Sequence, residues 1–248
     1  MKAVYPNWQA PPNIKALTTV RTGGVSLPPF NSFNLGDHVC DDPEAVQQNR
    51  ILLVDKFGLP HSPFFLAQTH STKVIELPFT ETNVEVEADA VYTQQANQVC
   101  LVMTADCLPI LFCNKKGTEV AAAHAGWRGL CAGILEETVT KFKTPTSDII
   151  AWLGPAIGPT AFQVGEEVIE QFCTFDPNAK LAFTPDITTS GKFLGNLYQL
   201  ATQRLNKLGI TDISGGTHCT YTEHDKFFSY RRDKQTGRMA SLIWIEQA

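Results

Sequence analysis

Apolar and polar positions along the chain alternate between helical spacing and short strand-like runs. Asp42 to Phe57 reads as a helix with Asp42 as N-cap and Pro43 in the first turn. Leu130 to Phe142 reads as a second, with Leu135, Val139 and Phe142 on one face. A third is expected from about Gly195 to Leu208, with Gly209 in the C-terminal cap position. Between them lie apolar, β-branched or aromatic runs that predict strands: Leu17 to Val20, Phe64 to Ala67, Val74 to Leu77, Val99 to Met103, Ile110 to Phe112, Val120 to Ala123, Ile149 to Leu153 and Ser241 to Ile245. Several follow one another with no helix between, which suits an α+β fold of mixed, packed sheets flanked by helices. No repeat or linker divides residues 1–248, so one continuous domain is expected.

Composition narrows the function. The 20 basic residues are scattered and the net charge is -5, so no continuous positive surface for nucleic acid is expected and small-molecule chemistry is favoured. The first residues, with prolines and polar groups, lack the apolar stretch of a signal peptide. The longest apolar region, Val99 to Cys113, is broken by Thr104, Asp106 and Pro109 and falls short of the roughly 20 residues that cross a bilayer. A cytoplasmic protein with no membrane partner follows as the expectation. The 7 cysteines contain no CxxC pair and read as reduced thiols, most of them small core residues.

Candidate chemistry gathers where strands end. His70 follows FFLAQT, Cys107 closes VMTADC and His124 follows VAAA. Imidazole nitrogen and thiolate sulfur are ligands that zinc prefers, and catalytic zinc keeps three protein ligands and an open fourth position. The spacing matches no short zinc signature, and a core thiol with two histidines bonded to backbone carbonyls is equally consistent with it. After His124, AGWRGL puts two glycines and Arg128 ahead of a helix. That suits an anion held by free N–H groups and an arginine fork, or simply a tight turn with Arg128 solvated. RTGG at Arg21, GPAIGP at Gly154 and the pair Arg231-Arg232 each read as turn or surface elements that can also wall a pocket.

The segments TADCLPILF, AAAHAGWRGL, GPAIGPTAFQVGEEV and FFSYRRDKQTGRMA, with RTGGVS, SFNLGDHV, the pair Asn49-Arg50, the QTH at Gln68 to His70, and CTYT, resemble the YfiH family of bacterial laccase-domain proteins over nearly the whole chain. The resemblance implies zinc on His70, Cys107 and His124, a single α+β domain and a homodimer. It also implies activities given inconsistently to the family: polyphenol oxidase, purine nucleoside phosphorylase with adenosine deaminase side activity, and peptidoglycan editing. A four-copper oxidase needs about ten histidines, mostly in H-x-H pairs, whereas this chain has 6 and no such pair; a single Cu(II) could still replace zinc. The H-x-E and P-C-x-x-C signature of zinc nucleobase deaminases is absent too.

The expected reaction is therefore zinc-assisted phosphorolysis of purine nucleosides (adenosine, inosine, guanosine, methylthioadenosine), with water replacing phosphate in deamination. Arg128 and the helix start are expected to hold phosphate. Asp106 is expected to orient a histidine or act as base, and Arg21, Asn34, Arg50, Gln68 and Arg231 are pocket candidates from the family-matching segments. Three alternatives stay open: a hydrolase with Cys107 as nucleophile and His124 as base, in keeping with a fold likeness to bacterial deamidase toxins; an enzyme editing peptidoglycan precursors; and a binding module in which Cys219 or His218 completes a structural zinc.

Overall fold

The computed structural model describes residues 2–79 and 86–247. A six-stranded mixed sheet runs in the order Asp212–Gly215, Ile149–Leu153, Leu108–Asn114, Val120–Ala125, Ala90–Thr93 and Val74–Leu77. Its outermost pairs are parallel and its inner pairs antiparallel. A four-stranded antiparallel sheet runs Ala3–Val4, Ile14–Thr19, Met239–Ile245 and Cys100–Thr104. A small sheet of Phe183–Pro185, Lys192–Gly195 and Gln163–Gly165 lies apart from both.

Strand alternation builds three apolar layers. Val91, Leu111, Val120, Ala122 and Trp152 of the larger sheet face Cys100, Val102, Ile243 and Ile245 of the other, forming the core between the sheets. The opposite side of the larger sheet, with Ile110, Phe112, Ala121 and Ala123, packs on helices Ile134–Thr140, Glu166–Phe175 and Leu197–Lys207. Leu17, Leu101, Met103 and Leu242 cover the outer face of the four-stranded sheet together with Leu53 of helix Pro43–Phe57. The central strands are thus buried on both faces, which is why they read as unbroken apolar runs.

Helix Pro43–Phe57 is capped as expected, with Asp42 accepting from the Glu44 N–H at 3.0 Å, and Gly209 follows the Leu197–Lys207 helix at φ 85°. Two expectations are corrected. The helix expected over Leu130 to Phe142 is two short ones, Trp127–Ala132 and Ile134–Thr140, because Gly133 at φ 108° breaks the spiral. Phe64 to Ala67 is not a strand; its ladder is a lone bridge from Ala67 to Glu87, and its polar end is tied off by Gln68 instead. Among the described residues no helix is long and apolar enough to cross a membrane.

Candidate metal centre and its cleft

The chain leaves the four-stranded sheet at Thr104 and enters the six-stranded sheet at Leu108, and this corner carries Asp106 and Cys107. His124 is the penultimate residue of Val120–Ala125, on the face turned toward the core between the sheets. His70 follows the Ala67 bridge. The three side chains meet at one open end of the two-sheet sandwich. Their donor atoms all lie within 4.8 Å of one another, with Cys107 Sγ 3.7 Å from His70 Nε2. His70 and Asp106 hold φ values of 62° and 96°, a region that costs a non-glycine residue about 1–3 kcal/mol and that concentrates at functional sites.

A residue the sequence reading passed over organises this group. Asp89 is fully buried; its Oδ1 accepts from His124 Nδ1–H at 2.8 Å and from the His70 N–H at 3.0 Å, and its Oδ2 accepts from the Ser71 N–H and hydroxyl at 2.6 and 2.7 Å. Burial pushes the Asp89 carboxyl up, but the His124 and Ser71 donors outweigh it and hold it below its usual range. The bond to Asp89 fixes Nδ1 of His124 as donor and leaves Nε2 for a ligand. Burial likewise pushes the Cys107 thiol up, and the two histidines override it, bringing it down to about 6. His124 is raised to about 9, since Cys107 and Asp89 outweigh its desolvation. A thiolate beside two imidazoles, one braced by a carboxylate, is a donor set that could hold a metal ion.

Gly126 supplies a second fit. A Cβ there would stand 2.6 Å from His70 Cδ2 and 3.0 Å from Cys107 Sγ, so only glycine lets the backbone pass this close. Gly126→Ala is therefore expected to push the two ligands apart and weaken metal retention about 10- to 100-fold, the scale of losing a supporting contact. Competition with a chromogenic chelator checks this; wild-type retention would show that the group tolerates a methyl.

The group floors a cleft of about 490 Å³, lined also by Arg128, Arg231, Arg238, Trp127, Phe162 and Tyr230. Gln68 lines it with its amide engaged, donating to and accepting from the Met103 backbone at 2.8 and 2.7 Å. Arg128 is exposed over the Trp127 ring, and Arg231 donates to the Gln163 carbonyl at 2.9 Å.

Asp106 is at the cleft but does not orient a histidine. Its Oδ1 accepts from the Thr220 hydroxyl and its Oδ2 from the Arg231 N–H, both at 2.6 Å, so it ties the 220–231 segment to the corner. Asn34 and Arg50 lie off the cleft. Asn34 is buried, its amide donating to the Gly36 carbonyl and Asp41 Oδ2 and accepting from the Gly36 N–H, and Arg50 lies over Phe65, donates to the Leu35 carbonyl and pairs with Asp37 at 3.0 Å. Arg21 belongs to a separate groove, bonded to the Asn31 and His224 carbonyls. Cys219 Sγ accepts from the Gly158 N–H and His218 pairs with Glu223, so among the described residues neither joins the three. Besides Asp89, the sequence reading missed Arg238 and His38, which also line the cleft.

Residues 15–246 match the family model described as "Multi-copper polyphenol oxidoreductase laccase". A "Purine nucleoside phosphorylase" of Haemophilus influenzae is 66% identical over 246 residues, covering 99% of this chain and 100% of that protein. A "Purine nucleoside phosphorylase YfiH" of Escherichia coli is 54% identical over 244 residues, covering 98% and 99%. Among solved structures, the Neisseria meningitidis protein NMB0706 superposes with a TM-score of 0.93 at 48% identity, covering 100% of both chains.

Proposed function

This chain belongs to the multi-copper polyphenol oxidoreductase laccase family, and from that membership we propose that it is a zinc-dependent purine nucleoside phosphorylase with adenosine deaminase side activity, acting as one catalytic unit. The observation that carries the reading is the three-residue donor set with no fourth protein ligand among the described residues, at the floor of a cleft lined by three arginines. Zinc bonds of about 2.1 Å to nitrogen and 2.3 Å to sulfur put tetrahedral neighbours roughly 3.6 Å apart, which the 3.7 Å between Cys107 and His70 matches. The family's copper name is not supported by ligand supply. Of the 6 histidines only His70 and His124 belong to the group, and His61, His218 and His224 are engaged with Ser62, Glu223 and Asp225.

Zinc on these residues would supply a Lewis acid that polarises and activates an oxygen nucleophile. The chain's own residues do the rest. Asp89 keeps His124 in the ligating tautomer. Cleft arginines neutralise the phosphate, Arg128 at the exposed side, and Trp127, Phe162 and Tyr230 offer flat apolar faces to the base. A phosphate oxygen then bonds to ribose C1 while the bond to the purine nitrogen breaks, and the purine leaves with the electron pair and takes up the proton that the hydrogen phosphate gives up. In deamination water adds at purine C6 and ammonia leaves.

The test is protein of measured metal content incubated with adenosine, with and without phosphate, and its products resolved by mass. Adenine with ribose 1-phosphate is expected with phosphate, and a minor amount of inosine without it. Neither product would overturn the reading.

Metal affinity should follow pH in a defined way. In the metal-free protein between about 6 and 9 the Cys107-His124 pair holds one proton, which metal must displace. Affinity is expected to fall about tenfold per pH unit as pH drops through this window, and more steeply below about 6 as Cys107 also protonates. Proton release measured in calorimetry in buffers of different ionisation heat checks it; a flat profile from 8 to 6.5 would contradict it.

A second reading has an observation in its favour, because Cys107, His124 and Asp89 also line up as nucleophile, base and orienting carboxylate. Peptide-mapped iodoacetamide labelling separates the two: zinc protects Cys107 in the metalloenzyme, whereas the hydrolase is inactivated by labelling and works without metal.

A further inference from the structure

Arg238 is the cleft arginine whose position is most fully built. Its backbone N–H donates to Asn34 Oδ1 at 2.9 Å, and the same oxygen accepts from the Gly36 N–H at 3.0 Å, so one buried amide clamps the Arg238 segment to the loop carrying His38. At Gly36 a Cβ would stand 2.8 Å from Arg238 Cγ and 3.3 Å from His38 Cε1; both side chains close on this bare backbone. Arg50, through the Leu35 carbonyl and Asp37, holds the same loop from outside. Nη1 of Arg238 donates to the carbonyls of Thr236 and Gly237 at 3.0 and 3.2 Å. Its Nε and Nη2 meet no protein acceptor among the described residues and reach solvent, as does Nε2 of the exposed His38, whose Nδ1 faces Asp37 at 3.6 Å.

Arg238 is thus a half-buried guanidinium with a fixed stem whose remaining donors open on the cleft and its solvent. Desolvation lowers its pKa, and the acidic groups that oppose this are chiefly Cys107 and Asp106. Asp106 is already occupied by Thr220 and Arg231, and Cys107 belongs to the donor set. Charge-assisted bonds to an anion would satisfy the free donors. The guanidinium of Arg128 is exposed, and that of Arg231, which like Arg238 gives Nη1 to a backbone carbonyl, lacks a stem packed on a glycine backbone.

Resting on the phosphorolysis reading, we propose that Arg238 and His38 form the seat of the phosphate co-substrate, with Arg238 as a preset fork and His38 as the neighbouring donor. Arg128 attracts the anion at the cleft's exposed side. Asn34 and Arg50 are positioning residues that act through the Leu35–His38 loop.

The test combines calorimetric titration with inorganic phosphate and phosphorolysis at varied phosphate, on protein of measured metal content. Arg238→Gln is expected to raise both the phosphate Kd and the phosphate KM about tenfold or more, with nucleoside KM, metal content and thermal unfolding as in wild type. Arg238→Lys should fall in between, since a point charge replaces a fork, and Arg128→Ala should shift phosphate KM less than Arg238→Gln does. Unchanged phosphate binding in Arg238→Gln overturns the seat, as does a larger shift in Arg128→Ala. Should Arg238→Gln misfold or lose metal, Arg238→Lys and His38→Gln decide, and wild-type phosphate binding in both overturns the seat. If wild type yields no ribose 1-phosphate, the phosphorolysis reading falls, while the calorimetry still reads whether phosphate depends on Arg238.

Discussion

Cys107→Ala is expected to give a folded protein that retains little or no zinc and cleaves adenosine at least about 100-fold more slowly, the scale of removing one preorganised electrostatic element from an active site. Folding should survive because the thiol is half-buried in a corner and its side-chain partner is a site histidine rather than the core. Loss of one of three ligands leaves two imidazoles, too few for a tightly held catalytic ion. Metal content by mass spectrometry, unfolding by circular dichroism and turnover should be measured on one preparation. Full activity in a zinc-free Cys107→Ala protein would sink both the metal mechanism and the thiol-nucleophile alternative.

Asp89→Ala should act differently, through stability as well as metal. The substitution leaves the donors of His124, His70 and Ser71 without their acceptor and strips the compensating charge from a buried histidine, so unfolding free energy is expected to fall by about 3–5 kcal/mol. Metal affinity should drop about 10- to 100-fold because His124 loses its fixed tautomer. In metal-free Asp89→Ala protein the His124 pKa should fall from about 9, since one of its two raising partners is gone. Its stabilising contribution would then be lost at lower pH than in wild type, because a raised histidine stabilises below its unfolded pKa and ceases to do so as pH passes its folded one. Urea titration across pH reads this, and wild-type stability would show that Asp89 is replaceable by water.

Much of the fold was legible because the central strands are buried on both faces and read as nearly unbroken apolar runs; Ile149–Leu153 came out residue for residue, as did the edge strand Val74–Leu77, whose exposed Glu76 keeps the strand alternation. Ala90–Thr93 was missed because it follows the acidic run Glu85, Glu87, Asp89, which reads as solvated although Asp89 is buried. The same masking hid the residue that braces His124. A buried carboxylate inside an otherwise apolar stretch, ADAVY, was the available signal. His70, Cys107 and His124 were visible as strand-end ligands, but only the surrounding motifs singled them out, since their convergence is created by two sheets meeting. Asn34, Arg50 and Arg21 lie in segments matching the family, and motif membership cannot separate a side chain facing the cleft from one holding the loop behind it. Arg238 sits in the same motif as Arg231, and no local pattern shows which of the two packs its stem on the bare backbone of Gly36.

The strand Met239–Ile245 lies between Ile14–Thr19 and Cys100–Thr104. During synthesis, the early strand and the middle strand of that sheet must therefore wait for a partner made last, and the Cys107 corner hangs from the edge strand that this partner anchors. Metal is thus expected to load only once residues 239–245 have paired with their neighbours. A chain stalled before residue 239 should bind zinc weakly, because the corner carrying Cys107 would lack the strand that anchors it.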